Sequence, residues 1–477
     1  MSKIDPLSNV DLAWLRMEDP TNLMMVTGIL TFEDRIDIQR LRAVLEQRLL
    51  AFDRFRMRVV DPQKLLLPAY WEEDPTFDMN SHLHLLALPE PAGHDELQNL
   101  ASDLMSTPLD YSKPLWNVHV VENFGEGSAV IVRLHHCIAD GMALVYVLLS
   151  MTDFGPDGAP AASEASIGPA RPTVAKNGGM TTAVLKRSSK LLSNSRSLTQ
   201  RIFAESKEIL VNPARAVELA LAGGDNAFAA ARLLLRSNDP ITLFKGSLGV
   251  SKRAAWSRPL PLKDVKAIKN ITGATINDVL VSALSGGLRR YMIARGEPVE
   301  GIEFRAGVPI NMRTPEEMGT LGNKFGLLFL TLPVNIGDPL DRLAVVHERM
   351  GELKNSKEGS VGLMVLSGLG MTPNEIQDEI VSLFAAKITS VLTNVPGPPM
   401  PLYLAGSKID GIMFWVPQSG RVGLGISILS YANKVYVGVA TDSGLVPDPD
   451  RIIEGFYKEF DDLLELVAQA EEIEAES

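Results

Sequence analysis

The feature that most constrains this chain is a break. From Asp153 to Thr173 it reads "DFGPDGAPAASEASIGPARPT", a run of Pro, Gly, Ala and Ser that sustains neither a helical period nor a strand alternation. The sequence around it is too long for one core, since 477 residues correspond to about two to three domains. We therefore expect a first domain over 1–160, a linker and helical segment over 161–255, and a last domain over 256–477.

Short apolar strands alternate with helices on both sides of the break. From Ile38 to Phe55, Leu41, Leu45, Leu49 and Phe52 recur at three- and four-residue spacing, which predicts an amphipathic helix. The Val-rich runs "WNVHVVENF" and "AVIVRL", separated by "GEG", predict a hairpin. "GMALVYVLLSM" is apolar on all sides and predicts a buried helix. Beyond Trp256, "ATINDVLVSALSGGLRRYMIA" predicts a helix with Asn277 and Asp278 near its start, Asn277 being suited to the N-cap. "FRAGVPINMR", "FGLLFLTLPV", "KITSVLTNVPGP", "VGLGISILSYANK" and "VYVGVAT" predict strands. The class is mixed α/β.

The charge balance excludes a general nucleic-acid partner, because phosphate binding needs an excess of Lys and Arg and this chain carries a net −12. A single cysteine, Cys137, excludes an internal disulfide and fits a reducing compartment. "MSKIDPLSNVDLAWL" lacks the pattern of a signal peptide, and no run reaches the roughly 18 apolar residues of a membrane span. The expected location is the cytoplasm. Yet Arg171–Arg253 holds fourteen Lys and Arg against five acids. Within it, residues 182–210 place Val184, Leu191, Leu198, Ile202 and Ile209 on one helical stripe, with Lys186, Arg187, Lys190, Arg196, Arg201 and Lys207 opposite. Such a helix can rest peripherally on an inner membrane face or a lipid inclusion, or pack on its own protein with a solvated basic face. Eighteen Met fit either flexible core packing or a roomy apolar pocket.

The candidate chemistry lies in "VRLHHCIADGMAL", Val132–Leu144, at the junction of a predicted strand and helix. Adjacent strand residues point to opposite faces, so at most one of His135 and His136 faces a substrate. Imidazole suits a general base near neutral pH. Asp140, in apolar surroundings, needs either a histidine to orient or a cation to pair with, and Gly141 permits a tight turn into the helix. Spacing alone leaves other readings open: a metal site from His119, His135, His136 and Asp140, a Cys137 nucleophile beside His136, or polar residues that only close a turn.

HHxxxDG is the signature of the CoA-dependent acyltransferase superfamily, which includes chloramphenicol acetyltransferase and peptide synthetase condensation domains. The ordered blocks "KPLWNVHVV", "HHCIADG", "TINDVLVSALSGGLRRYM", "GVPINMR", "GNKFGLLFLTLP", "TNVPGPPMPLYLAG" and "GISILSY" narrow this further. The chain resembles the bacterial wax ester synthase/diacylglycerol acyltransferase family. That resemblance implies two chloramphenicol-acetyltransferase-like domains, each a mixed sheet flanked by helices, with an active-site tunnel at their interface. It implies transfer of a long-chain acyl group from acyl-CoA, the co-substrate, to a fatty alcohol or diacylglycerol, with no permanently bound cofactor and no metal. His136 would be the base, with His135, Asp140 and Gly141 shaping its loop and Asn277 holding an oxyanion. Arg313 and Asp278 would give structural support, Arg313 by pairing with Asp140, and Pro114, Leu115 and Trp116 would wall the tunnel. Alternatives are the same chemistry on a polyketide or glycolipid hydroxyl, or a catalytically silent protein that coats lipid droplets.

Overall fold

Turn and cap chemistry delimit the elements of the first half. The computed structural model describes residues 4–61, 69–157, 236–314, 317, 319–354, 381–418 and 422–476. The first half runs β1 (Ile4–Pro6), α1 (Asn9–Arg16), β2 (Met25–Phe32), α2 (Ile38–Val44), β3 (Met57–Val60), β4 (Tyr70–Glu73), β5 (Leu83–Leu86), α3 (His94–Met105), β6 (Trp116–Phe124), β7 (Gly127–His135) and α4 (Gly141–Met151). Gly125, with φ of 55°, sets the tight turn between β6 and β7. The helix expected from Ile38 is not a uniform α-helix: after α2 the chain widens into a π turn, Leu45–Leu49, and ends in a short 3-10 turn at Asp53–Phe55.

The second half runs β8 (Lys252–Trp256), β9 (Leu260–Pro261), α5 (Leu262–Thr272), α6 (Ile276–Ala294), β10 (Phe304–Asn311), β11 (Phe325–Leu332), α7 (Pro339–Lys354), β12 (Ser390–Pro396), β13 (Tyr403–Leu404), β14 (Ser407–Trp415), β15 (Leu424–Tyr431), β16 (Lys434–Asp442) and α8 (Asp450–Glu476). Asn277 is not the N-cap of α6. Thr275 is, accepting from the Asp278 N–H at 3.2 Å while the Asp278 carboxylate accepts from the Thr275 N–H at 2.8 Å. A reciprocal box satisfies two orphan donors, which a lone Asn two residues into the helix cannot do.

Two mixed sheets carry the molecule, in strand orders β13-β14-β2-β7-β6-β5 and β11-β10-β12-β15-β16-β8, with β9 also on β16; β1, β4 and β3 form a small third sheet. Each large sheet is covered by helices, and the fold is the expected pair of acyltransferase-like units. The sheets do not divide cleanly in chain order. β13 and β14, from within 256–477, cross over to pair with β2 of the first sheet, and β8 already joins the second sheet at Lys252. The basic segment 182–210 and most of the linker lie outside the described residues. Among the described residues no helix is long and apolar enough to cross a membrane.

α6 and α8 pack so closely that a Cβ on Gly287 would stand 2.7 Å from the Phe456 backbone nitrogen. Neither backbone can yield cheaply there. Gly287→Ala is expected to cost about 2 kcal/mol, read as a lower thermal midpoint.

Candidate active site

Strand alternation sorts the two histidines. On β7, Val130, Val132 and Leu134 face inward, and His136 continues that row just past the strand end. His135 turns to the opposite face, fully buried, with Nε2 3.4 Å from Glu18 and Nδ1 accepting from the Cys137 N–H at 3.1 Å. Donor and acceptor demands of its ring therefore point away from the inner face. Cys137 is buried too, and loss of solvation pushes its thiol well above the ordinary range. His119 lies beyond reach of the pair, stacked on His84 on the outer face.

The loop from His136 to Asp140 is tied on three sides. The His136 N–H donates to Met24 at 2.8 Å, and Arg54 donates to the carbonyls of Cys137 and Ile138 at 3.3 and 2.9 Å. Gly322 exchanges backbone hydrogen bonds with both Ile138 and Asp140, adopting a φ of 102° that favours glycine. Asn323 donates to the His136 carbonyl at 2.7 Å and to Asp11 at 2.9 Å, and Asp11 in turn lies 3.1 Å from Arg54. Asp140 closes the loop: it caps α4 by accepting from Ala143 at 3.1 Å, accepts from the Lys324 N–H at 2.8 Å, and pairs with Arg313. Both members of that pair are buried, and Arg313 also donates to Gly322 at 2.6 Å.

Between the two sheets this leaves a cavity of about 380 Å³, walled by residues of α1, the histidine loop, β10, β11, β12 and β14. His136 and Asp140 line it, among mostly apolar neighbours that include Phe325, Leu327 and Phe414. The Trp14 ring stacks on His136 at 4.1 Å and 21°. Burial holds the His136 imidazole down at about 4, against the opposing pull of the Asp140 charge, so the ring is neutral over the physiological range. A neutral imidazole beside an apolar cavity can accept a proton from a bound hydroxyl.

Residues 7–280 match the wax ester synthase/diacylglycerol acyltransferase catalytic domain, and residues 321–464 match the C-terminal domain of the same enzymes. The chain belongs to the wax ester synthase/diacylglycerol acyltransferase family. It is an acyl-CoA-dependent O-acyltransferase, of the kind that makes wax esters or triacylglycerol. A probable diacylglycerol O-acyltransferase of Mycobacterium tuberculosis is 28% identical over 460 residues, covering 94% of this chain and 93% of that one. The fold is similar to a wax ester synthase/diacylglycerol acyltransferase from Marinobacter aquaeolei, with a TM-score of 0.68, 21% identity, and coverage of 97% of this chain and 100% of that one. A starter condensation domain of rhizomide synthetase, solved with C8-CoA, shares it at a TM-score of 0.56 and 13% identity, over 98% and 94% of the two chains.

Against the residues that family resemblance singled out, the structure brings His136, Asp140, Gly141 and Arg313 together and separates others. Asn277 stands one step behind the cavity: its Oδ1 accepts from Asn394 Nδ2 at 2.6 Å, and Asn394 is the residue on the wall. Asp278, besides capping α6, contacts His347 at 2.7 Å. Trp116 walls a second, wholly apolar cavity of about 160 Å³, its indole N–H donating to Phe55 at 2.9 Å. Pro114 and Leu115 line neither cavity; the Leu115 carbonyl accepts from the His135 N–H at 2.9 Å and so braces the strand end. α4 is not buried all round either, because Leu144, Val145, Leu148 and Met151 border that second cavity. Trp14, Asp11, Arg54 and Asn323 were missed. Asn323 sits inside the matched "GNKFG" block, the one signal that could have pointed to it.

Removing one partner of a buried ion pair strands the other charge. Arg313→Gln is expected to cost about 3 kcal/mol or more, and the double variant with Asp140→Asn to recover part of that loss, measured as thermal midpoints.

Proposed function

We propose that His136 is the general base of a direct acyl transfer from acyl-CoA to the hydroxyl of a fatty alcohol or diacylglycerol. The observation that carries this is its position: a neutral, stacked imidazole on the wall of an apolar cavity between the sheets. Its Nδ1 is fully buried, which leaves Nε2 for the substrate. As the hydroxyl oxygen attacks the thioester carbonyl carbon, Nε2 takes the hydroxyl proton. The tetrahedral oxyanion collapses, the carbon–sulfur bond breaks, and the departing thiolate takes the proton back from His136. No acyl-enzyme forms. The amide presented to the developing oxyanion is that of Asn394, with Asn277 orienting it from behind; the supporting observation is the Asn394 Nδ2 to Asn277 Oδ1 hydrogen bond beside the cavity wall. Asp140 does not relay protons, since its oxygens are engaged by Ala143, Lys324 and Arg313.

A peripheral contact with a membrane or lipid inclusion through residues 182–210 fits apolar substrates, and rests on the sequence pattern alone.

Thiol release from palmitoyl-CoA, with hexadecanol or dioleoylglycerol as acceptor, tests the reading. Acceptor-dependent release is expected, reduced about 10²- to 10⁴-fold in His136→Ala; a variant that keeps wild-type turnover rejects His136 as base. Activity with neither acceptor would favour another hydroxyl, of the polyketide or glycolipid type. The pH profile adds an independent check. Only the neutral ring accepts a proton, so kcat/KM should fall as pH drops through about 4, where His136 protonates, and should show no acid limb near the ordinary imidazole value of 6.5.

A further inference from the structure

Glu18 stands just past the end of α1, where the chain turns back toward β2, and the reaction as described gives it no part. The turn that follows it is closed locally. The Asn22 N–H donates to the Asp19 carbonyl at 2.8 Å, and the Thr21 N–H donates to the Asp19 carboxylate at 2.8 Å. This brings Met24 back against Glu18. The Met24 N–H donates to Glu18 Oε2 at 2.5 Å, and the Met24 carbonyl accepts from the His136 N–H at 2.8 Å. A single residue therefore connects the Glu18 carboxylate to the backbone of the proposed base.

The same carboxylate oxygen meets His135. The His135 ring is fully buried, and its Nδ1 accepts from the Cys137 N–H at 3.1 Å. A ring nitrogen that accepts carries no proton, so the imidazole is neutral with its proton on Nε2. Nε2 has no other partner among the described residues, and Glu18 Oε2 lies 3.4 Å from it. A buried N–H without an acceptor is costly, and this carboxylate supplies one. Were the proton on Nδ1 instead, two N–H groups would oppose each other, and Cys137 would have to move with the loop that starts at His136. Tyr111 packs its ring edge-on to His135 at 5.9 Å and 75°. Burial, and after it the Glu18 charge, push that hydroxyl well above its ordinary range, so it stays a neutral phenol beside the carboxylate. Glu18 lines neither cavity, whereas Trp14, four residues before it, stacks on His136.

We propose that Glu18 is a positioning residue for the acyl transfer. Its carboxylate oxygen, shared between the His135 ring and the Met24 N–H, fixes the His135 tautomer and with it the loop that presents His136. The assignment rests on the reading of His136 as the base.

Glu18→Leu keeps the volume and removes the acceptor, whereas Glu18→Gln keeps a carbonyl oxygen that can take both donors. Both are assayed with palmitoyl-CoA and whichever of hexadecanol and dioleoylglycerol is turned over faster. Glu18→Leu is expected to lower kcat about tenfold or more, with KM for palmitoyl-CoA within about twofold of wild type, and Glu18→Gln to stay within about threefold in kcat. A Leu variant with wild-type kcat, a loss carried by KM alone, or a Gln variant as slow as the Leu variant overturns the proposal.

The tautomer is read without turnover, by nitrogen NMR on protein labelled at its seven histidines, His135 being assigned as the signal absent from His135→Gln. Wild type should show His135 protonated on Nε2 alone near neutral pH, and Glu18→Leu should gain the Nδ1–H form. A wild-type ring protonated on Nδ1, or an unchanged tautomer in a folded Glu18→Leu, overturns the proposal. Should Glu18→Leu not fold, Glu18→Ala replaces it, and the wild-type tautomer can still overturn the reading unaided. Turnover of neither acceptor by wild type, or full turnover in His136→Ala, contradicts the base instead, and Glu18 is then judged by the tautomer.

Discussion

Asp140 and Arg313 meet in a site that excludes water, 173 residues apart in the chain. The carboxylate ends the histidine loop and caps α4, while the guanidinium follows β10 of the second sheet. Neither charge could stay buried alone, so the loop keeps its shape only when the two sheets are docked. Around this pair the Gly322 backbone bridge and the Asn323 amide repeat the connection with neutral groups. These ties lie at the edge of the cavity that His136 and Asp140 line between the two sheets. The hydrogen bonds that Asp140 accepts come from Ala143, Lys324 and Arg313 rather than from a histidine, which places it in the tie.

The elements with strong local signals were legible. The β6–β7 hairpin, the α6 helix and strands β10, β11, β12, β15 and β16 follow from Val-rich runs, a helical period and turn residues, and the opposed directions of His135 and His136 follow from alternation alone. What alternation does not reveal is which face is the inner one. That is decided by α2 and α4 covering the even-numbered row of β7, a tertiary choice. The π turn was invisible for a related reason: Leu41, Leu45 and Leu49 keep a four-residue spacing whichever winding they adopt, and only the packing selects one. Strand β14 was not read from the sequence at all, and its pairing with β2 of the first sheet is set by tertiary packing.

The site was legible to the extent that its chemistry sits in one short stretch. Residues that act by contact from elsewhere were not. Trp14 is an ordinary apolar residue of an amphipathic helix until α1 is laid against the loop, and Asp11 is an ordinary helix-start acid until Arg54 and Asn323 reach it. Other residues that the resemblance singled out sit off the wall of the His136 cavity. Asn277 reaches the cavity through Asn394, Trp116 borders the second cavity, and Pro114 and Leu115 line neither.

Burial poses an apparent contradiction for the base proposed above. Desolvation weakens His136 as a proton acceptor in the ground state, yet it is the same exclusion of water that makes the cavity fit for an apolar alcohol. The contradiction eases once the transition state is considered. A hydroxyl bound in that cavity is desolvated with the imidazole, so neither is held back by water, and the charge that appears on the ring does so within the field of Asp140, the strongest influence favouring its charged form. Because Asp140 is already fixed by Arg313 and two backbone donors, that field is in place before the proton moves. The ion pair that ties the two sheets thus also sets the electrostatic surroundings of His136, so on the proposed mechanism the structural tie and the base share one field.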